Sequence, residues 1–84
     1  MDYTKITALL IDKGFEIVDF SNTGFELDKT ENGVTTMVTI REDDVNIESR
    51  DNDTREMFLD VTISFNKLNK TLLNQLLELA ENLN

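Results

Sequence analysis

Residues 25–41 read FELDKTENGVTTMVTIR, and this stretch decides the fold. Asn32 and Gly33 both accept positive φ, so Glu31-Asn32-Gly33 predicts a tight hairpin turn. Beyond the turn, Val34, Thr36, Val38 and Ile40 alternate with Thr35, Met37, Thr39 and Arg41. A period of two with one apolar side is the pattern of a half-buried strand. Before the turn, Phe25–Thr30 reads as its partner, with Phe25 and Leu27 on the core side and Glu26 and Asp28 outward.

Working outward, further strands separated by turn residues are expected in both directions. Phe15–Phe20 is an expected strand, joined to the next by Ser21-Asn22-Thr23-Gly24. Glu42-Asp43-Asp44 makes a polar turn into Val45–Arg50, which places Val45 and Ile47 inward and Asp44, Asn46, Glu48 and Arg50 outward. Asp51-Asn52-Asp53-Thr54 is another turn, rich in residues that tolerate left-handed backbone. Met57–Phe65 follows, with Met57, Leu59, Val61, Ile63 and Phe65 on one side and Phe58, Asp60, Thr62 and Ser64 on the other.

Helices flank these strands. Tyr3, Ile6, Leu9, Leu10 and Lys13 share a face within Asp2–Lys13, where Asp2 caps the start and Gly14 supplies a left-handed stop. Leu68, Leu72, Leu73, Leu76, Leu77, Leu79, Ala80 and Leu83 form a wide stripe on a helix that starts at Lys67 or Lys70, capped by Asn66 or Asn69. Short connections favour antiparallel neighbours, and strands apolar on one side need covering on that side only. The expected class is α+β: a two-layer, antiparallel meander of four or five strands, with an N-terminal and a C-terminal helix on one face, as a single domain over residues 1–84.

Composition narrows the chemistry. The chain has no Cys and no His, which removes disulfides, thiolate metal sites and the usual general base at neutral pH. An EF-hand loop starting at Asp51 would need a ligand, a Gly and a Glu where Arg55, Glu56 and Thr62 stand. Carboxylate-pair catalysis needs a cleft, and a two-layer domain of this size offers little of one. Ser21, Ser49 and Ser64 lack a histidine to activate them. No cofactor, metal or enzymatic activity is expected. Dispersed cations also argue against direct nucleic-acid binding. The start lacks a basic segment followed by a long apolar run, and no stretch is long enough to span a membrane, so a cytoplasmic location is expected.

The charge is concentrated. Glu42, Asp43, Asp44, Glu48, Asp51, Asp53, Glu56 and Asp60 stand against Arg50 and Arg55, a net of −6 within a chain of formal charge −9. One sign packed so densely repels itself and costs stability. Carboxylates two apart on a strand lie roughly 7 Å from each other, and neighbouring strands about 5 Å apart. That grid is sparser than a nucleic-acid backbone, with about 3.4 Å of axis per phosphate, but similar in scale. The expected partner surface comprises these eight residues extended by Glu26 and Asp28, with Phe58 as an apolar anchor on the polar side. Its expected partner is a basic protein surface, such as a nuclease or a DNA- or RNA-binding protein, engaged by a monomer or homodimer.

In size, acidity and lack of catalytic residues the chain resembles small phage-encoded inhibitors, including anti-CRISPR and anti-restriction proteins. The resemblance is one of composition, and it implies a nucleic-acid mimic acting in the host cytoplasm. The alternative is an assembly module. Leu72, Leu76, Leu79 and Leu83 follow the spacing of a coiled-coil seam, which, with a free sheet edge, offers a route to self-association.

Overall fold

The computed structural model describes residues 2–21 and 24–81. Helix α1 (Tyr3–Asp12) precedes strands β1 (Glu16–Ser21), β2 (Gly24–Glu31), β3 (Val34–Arg41), β4 (Asp44–Asp51) and β5 (Met57–Ser64). A 3-10 turn (Phe65–Lys67) then leads into helix α2 (Lys70–Glu81). The strands form one antiparallel sheet in sequence order, β1-β2-β3-β4-β5. This is the α+β meander that the alternation predicts, with five strands.

Local chemistry sets the element ends. The Asp2 carboxylate accepts from the Lys5 N–H at 3.0 Å, satisfying an orphan donor of the first turn of α1. At the other end the Gly14 N–H reaches the Ile11 carbonyl and the Phe15 N–H reaches the Leu10 carbonyl, both at 3.0 Å. Those two bonds, with Gly14 at φ +99°, make a Schellman stop. Asn32 (φ +55°) and Gly33 (φ +78°) provide the left-handed pair that the β2–β3 hairpin requires. Asn69 caps α2 by accepting from the Leu72 N–H at 2.8 Å. The turn residues Asn22 and Thr23, and Leu83 of the leucine stripe, lie outside the described residues.

One apolar cluster fills the interior. Leu27, Val38, Ile40, Val45 and Ile47 from one side of the sheet join Ile6 and Leu10 of α1 and Leu73, Leu77 and Ala80 of α2. Burial of this kind is the main favourable term in so small a domain. Ser49 is fully buried among these residues and donates its hydroxyl hydrogen to the Ala80 carbonyl at 2.8 Å, tying β4 to α2. Lys29 bridges from β2 to Glu81 of α2 at 3.2 Å and stands over the Phe15 ring, 5.8 Å from its centroid.

Three expectations are corrected. Met57 does not share the inward side with Leu59: it pairs with Arg50, on the opposite side, and is 44% exposed. The cause is a bulge, because Ser49 pairs with Leu59 and the next pair is Arg50 with Met57, leaving Phe58 as the extra residue. Phe65 is not a strand residue: β5 ends at Ser64, and Phe65 opens the 3-10 turn, where its N–H bonds the Asp43 carbonyl at 3.0 Å. Tyr3, expected on the buried face of the first helix, is 54% exposed and instead stacks against Phe25 with ring centroids 6.1 Å apart.

Candidate acidic interface

Register assigns the paired strand residues to the two sides of the sheet. The side opposite the core carries a row that crosses all five strands: Glu16, Asp28, Met37, Glu48 and Asp60. The next row is Asp19, Glu26, Thr39, Asn46 and Thr62. With Asp44 beside Ser64 at the end of β4, seven carboxylates share this outer face with two guanidinium groups, Arg41 and Arg50. The full row spans about 19 Å, four strand spacings.

Three of the cross-strand pairs are carboxylate against carboxylate: Glu16 with Asp28, Asp19 with Glu26, and Glu48 with Asp60. Like charges directly opposite each other destabilise a sheet. Local compensation is partial. Arg41 Nη1 lies 3.2 Å from Asp44 Oδ1, and Arg50 Nη2 lies 3.6 Å from Glu48 Oε2. Among the described residues no ion pair engages Glu16, Asp19, Glu26, Asp28 or Asp60.

Asp28 feels the crowding most. Its Oδ1 is buried without a hydrogen-bond partner. Burial first, and then the charge of Glu26 two residues away, raise its pKa to about 6. On the far side of the sheet Asp60 is held in place. Asn46, only 5% exposed although on the outer face, points its amide nitrogen at Asp60 Oδ1 (2.8 Å), Thr62 Oγ1 (2.9 Å) and the Val61 carbonyl (3.3 Å).

The residues expected from sequence to form a partner surface fall into four places. Glu26, Asp28, Asp44, Glu48 and Asp60 gather on the outer face. Glu42 and Asp43 sit in the exposed turn between β3 and β4. Asp53 and Glu56 sit at the opposite end of the sheet, in the turn between β4 and β5. Asp51 has a structural task there: its Oδ1 accepts from the N–H groups of Asp53 (2.8 Å) and Thr54 (2.9 Å). Those bonds hold its pKa below the usual carboxylate value. Phe58 occupies the β5 bulge and is half-buried, next to the exposed Met57.

Glu16 and Asp19 join the acidic face although the sequence pattern did not mark them. They are three apart, which on a regular strand puts them on opposite sides. A bulge at Val18, between the Ile17–Leu27 and Asp19–Glu26 pairs, brings them to the same side. The one available signal was the pairing of Ile17 and Phe20 at the same spacing of three.

The leucine stripe of α2 is spent mostly on the core. Leu73, Leu77 and Ala80 are buried, Leu72 and Leu76 half-buried, and Leu79 exposed. Among the described residues no group of three or more His, Cys, Asp or Glu side chains has the arrangement to hold a metal ion. No helix among them is long and apolar enough to cross a membrane. Comparison with protein-family models, with curated proteins and with solved structures finds no match to this chain.

Proposed function

We propose that this protein is a non-enzymatic binding protein that offers its open sheet face to a basic, nucleic-acid-binding surface of another protein. The observation that carries the reading is the set of three carboxylate pairs facing each other across neighbouring strands on one water-exposed side. Each pair costs stability in the free protein, and a cationic partner converts that cost into attraction. Glu16, Asp19, Glu26, Asp28, Glu48 and Asp60 supply the field, with Met37 as an apolar contact at the centre of the row from Glu16 to Asp60. Occupying such a surface blocks nucleic acid from it, which is the action of an inhibitor of the anti-restriction or anti-CRISPR type.

Competition tests this reading. Purified nucleases and DNA-binding proteins, each holding a fluorescent duplex, are titrated with the protein across a salt series. The expected result is displacement of the duplex from at least one, weakening about tenfold or more as salt rises. A variant carrying Glu16→Gln, Asp28→Asn, Glu48→Gln and Asp60→Asn is expected to melt higher than the parent and to lose displacement. Displacement that ignores both salt and this variant overturns the proposal.

A further inference from the structure

The open edge of the sheet at β1 combines two features that the acidic face alone does not explain. The first is exposure. β1 pairs with β2 on one side only, and every residue from Glu16 to Phe20 is exposed. Ile17, Val18 and Phe20 are among the most exposed large apolar side chains, Phe20 at 73%. An open edge with exposed apolar side chains is a template for another strand, and the charges of Glu16 and Asp19 and the bulge at Val18 leave Ile17, Val18 and Phe20 uncovered. The other edge strand, β5, is half-buried along much of its length.

The second feature is that the bulge at Val18 makes this short strand two-sided. Glu16 and Asp19 stand on the acidic face, while Ile17 and Phe20 stand on the other side, next to Leu27 and Phe25. On that side a shallow groove of about 300 Å³ is lined by Tyr3, Thr4, Thr7, Ala8 and Ile11 of α1 and by Phe25. Phe20, on the edge strand, is the register partner of Phe25 and stands on the same side of the sheet.

We infer that β1 takes an extended segment of a basic partner protein as a sixth strand, one in which Lys or Arg alternates with apolar residues. Alternate side chains of an added strand point to opposite faces. The cations of such a segment meet Glu16 and Asp19, and its apolar residues meet Phe20 and the α1 groove. Main-chain hydrogen bonds to the free edge supply the remainder of the affinity. A second copy of this chain fits less well, because β1 against β1 sets the acids Glu16 and Asp19 of one copy beside those of the other. The inference rests on the proposed basic partner and adds where and in what conformation that partner is gripped.

Two synthetic peptides of equal composition test it, one alternating Lys and Val and one with its Lys and Val in separate blocks. Binding is followed by amide chemical shifts and hydrogen exchange of the labelled protein. The alternating peptide is expected to bind at least tenfold more tightly, to protect amides of β1, and to shift Tyr3 and Ile11. Phe20→Ser, at an exposed position that leaves the core intact, is expected to abolish that preference. Equal affinity for the two peptides, with shifts centred on Met37, Glu48 and Asp60, overturns strand addition while leaving the acidic-face reading standing. Failure of both peptides at low salt, alongside successful duplex displacement, does the same. A dimer in sedimentation that Phe20→Ser dissociates overturns the inference in favour of a second copy.

Discussion

Ser49, in the middle of β4, donates its hydroxyl hydrogen to the carbonyl oxygen of Ala80 in α2 across 2.8 Å, and both residues are fully buried. Ala80 lies in the last turn of its helix, where carbonyls lack an intrahelical partner. The hydroxyl therefore answers a need that the helix cannot meet itself. Ser49→Ala is expected to strand that carbonyl and lower stability by about 1–2 kcal/mol. In a domain of this size that is roughly 5–10 °C in melting temperature, read by calorimetry.

Asn46 plays a comparable part on the other side of the sheet. It organises Asp60, Thr62 and the Val61 carbonyl from a buried position. Asn46→Ala is expected to cost about 1–2 kcal/mol, because three hydrogen bonds to part-exposed acceptors, one of them a carboxylate, are lost. Asp60→Asn, by contrast, retains an oxygen for Asn46 and removes one member of the Glu48–Asp60 repulsion. Its melting temperature is expected at or above that of the parent, and denaturant unfolding of the two variants separates the effects.

Asp28 imposes a pH dependence whose sign follows from its raised pKa of about 6, against an ordinary value of 3.8. Between those values the native state binds more protons than the unfolded chain, so stability falls as pH rises. The contribution is complete below 3.8 and lost as pH passes through about 6. Melting temperature is expected to rise as pH is lowered from 7 to about 4.5. Asp28→Asn is expected to flatten that rise. Asp51, with its lowered pKa, acts in the opposite direction only at more acid pH, where its bonds to Asp53 and Thr54 are lost.

Charge removal at the β1 edge gives a direct measure of the strain in the acidic face. Glu16→Gln or Asp19→Asn each relieves one cross-strand repulsion and is expected to stabilise by a few tenths to about 1 kcal/mol. The gain is expected to shrink in high salt, since screening already weakens the repulsion in the parent. Thermal melts with and without added sodium chloride show both effects.

Much of this architecture was legible along the chain. Asn32-Gly33 fixed one hairpin, and Val34–Ile40 fixed which side of its strand is buried. Asp2, Gly14 and Asn69 marked helix ends through bonds that depend only on near neighbours. Of the acidic residues, Glu26, Asp28, Asp44, Glu48 and Asp60 were assignable to the outer face because each sits in an unbulged run that alternates with a clear apolar neighbour.

Tertiary structure alone decided the rest. The bulges at Val18 and Phe58 reset the alternation in both edge strands, adding Glu16 and Asp19 to the acidic face and moving Met57 off the core side. A bulge records how one strand matches the length and register of another, so no local pattern announces it. Burial of Ser49 and Asn46 likewise depends on partners 31 and 14 residues or more away. Sequence determined which groups repel or prefer water, through side-chain chemistry that each residue carries with it. Packing determined which of those groups stand face to face, because that is a property of pairs the chain brings together only when folded.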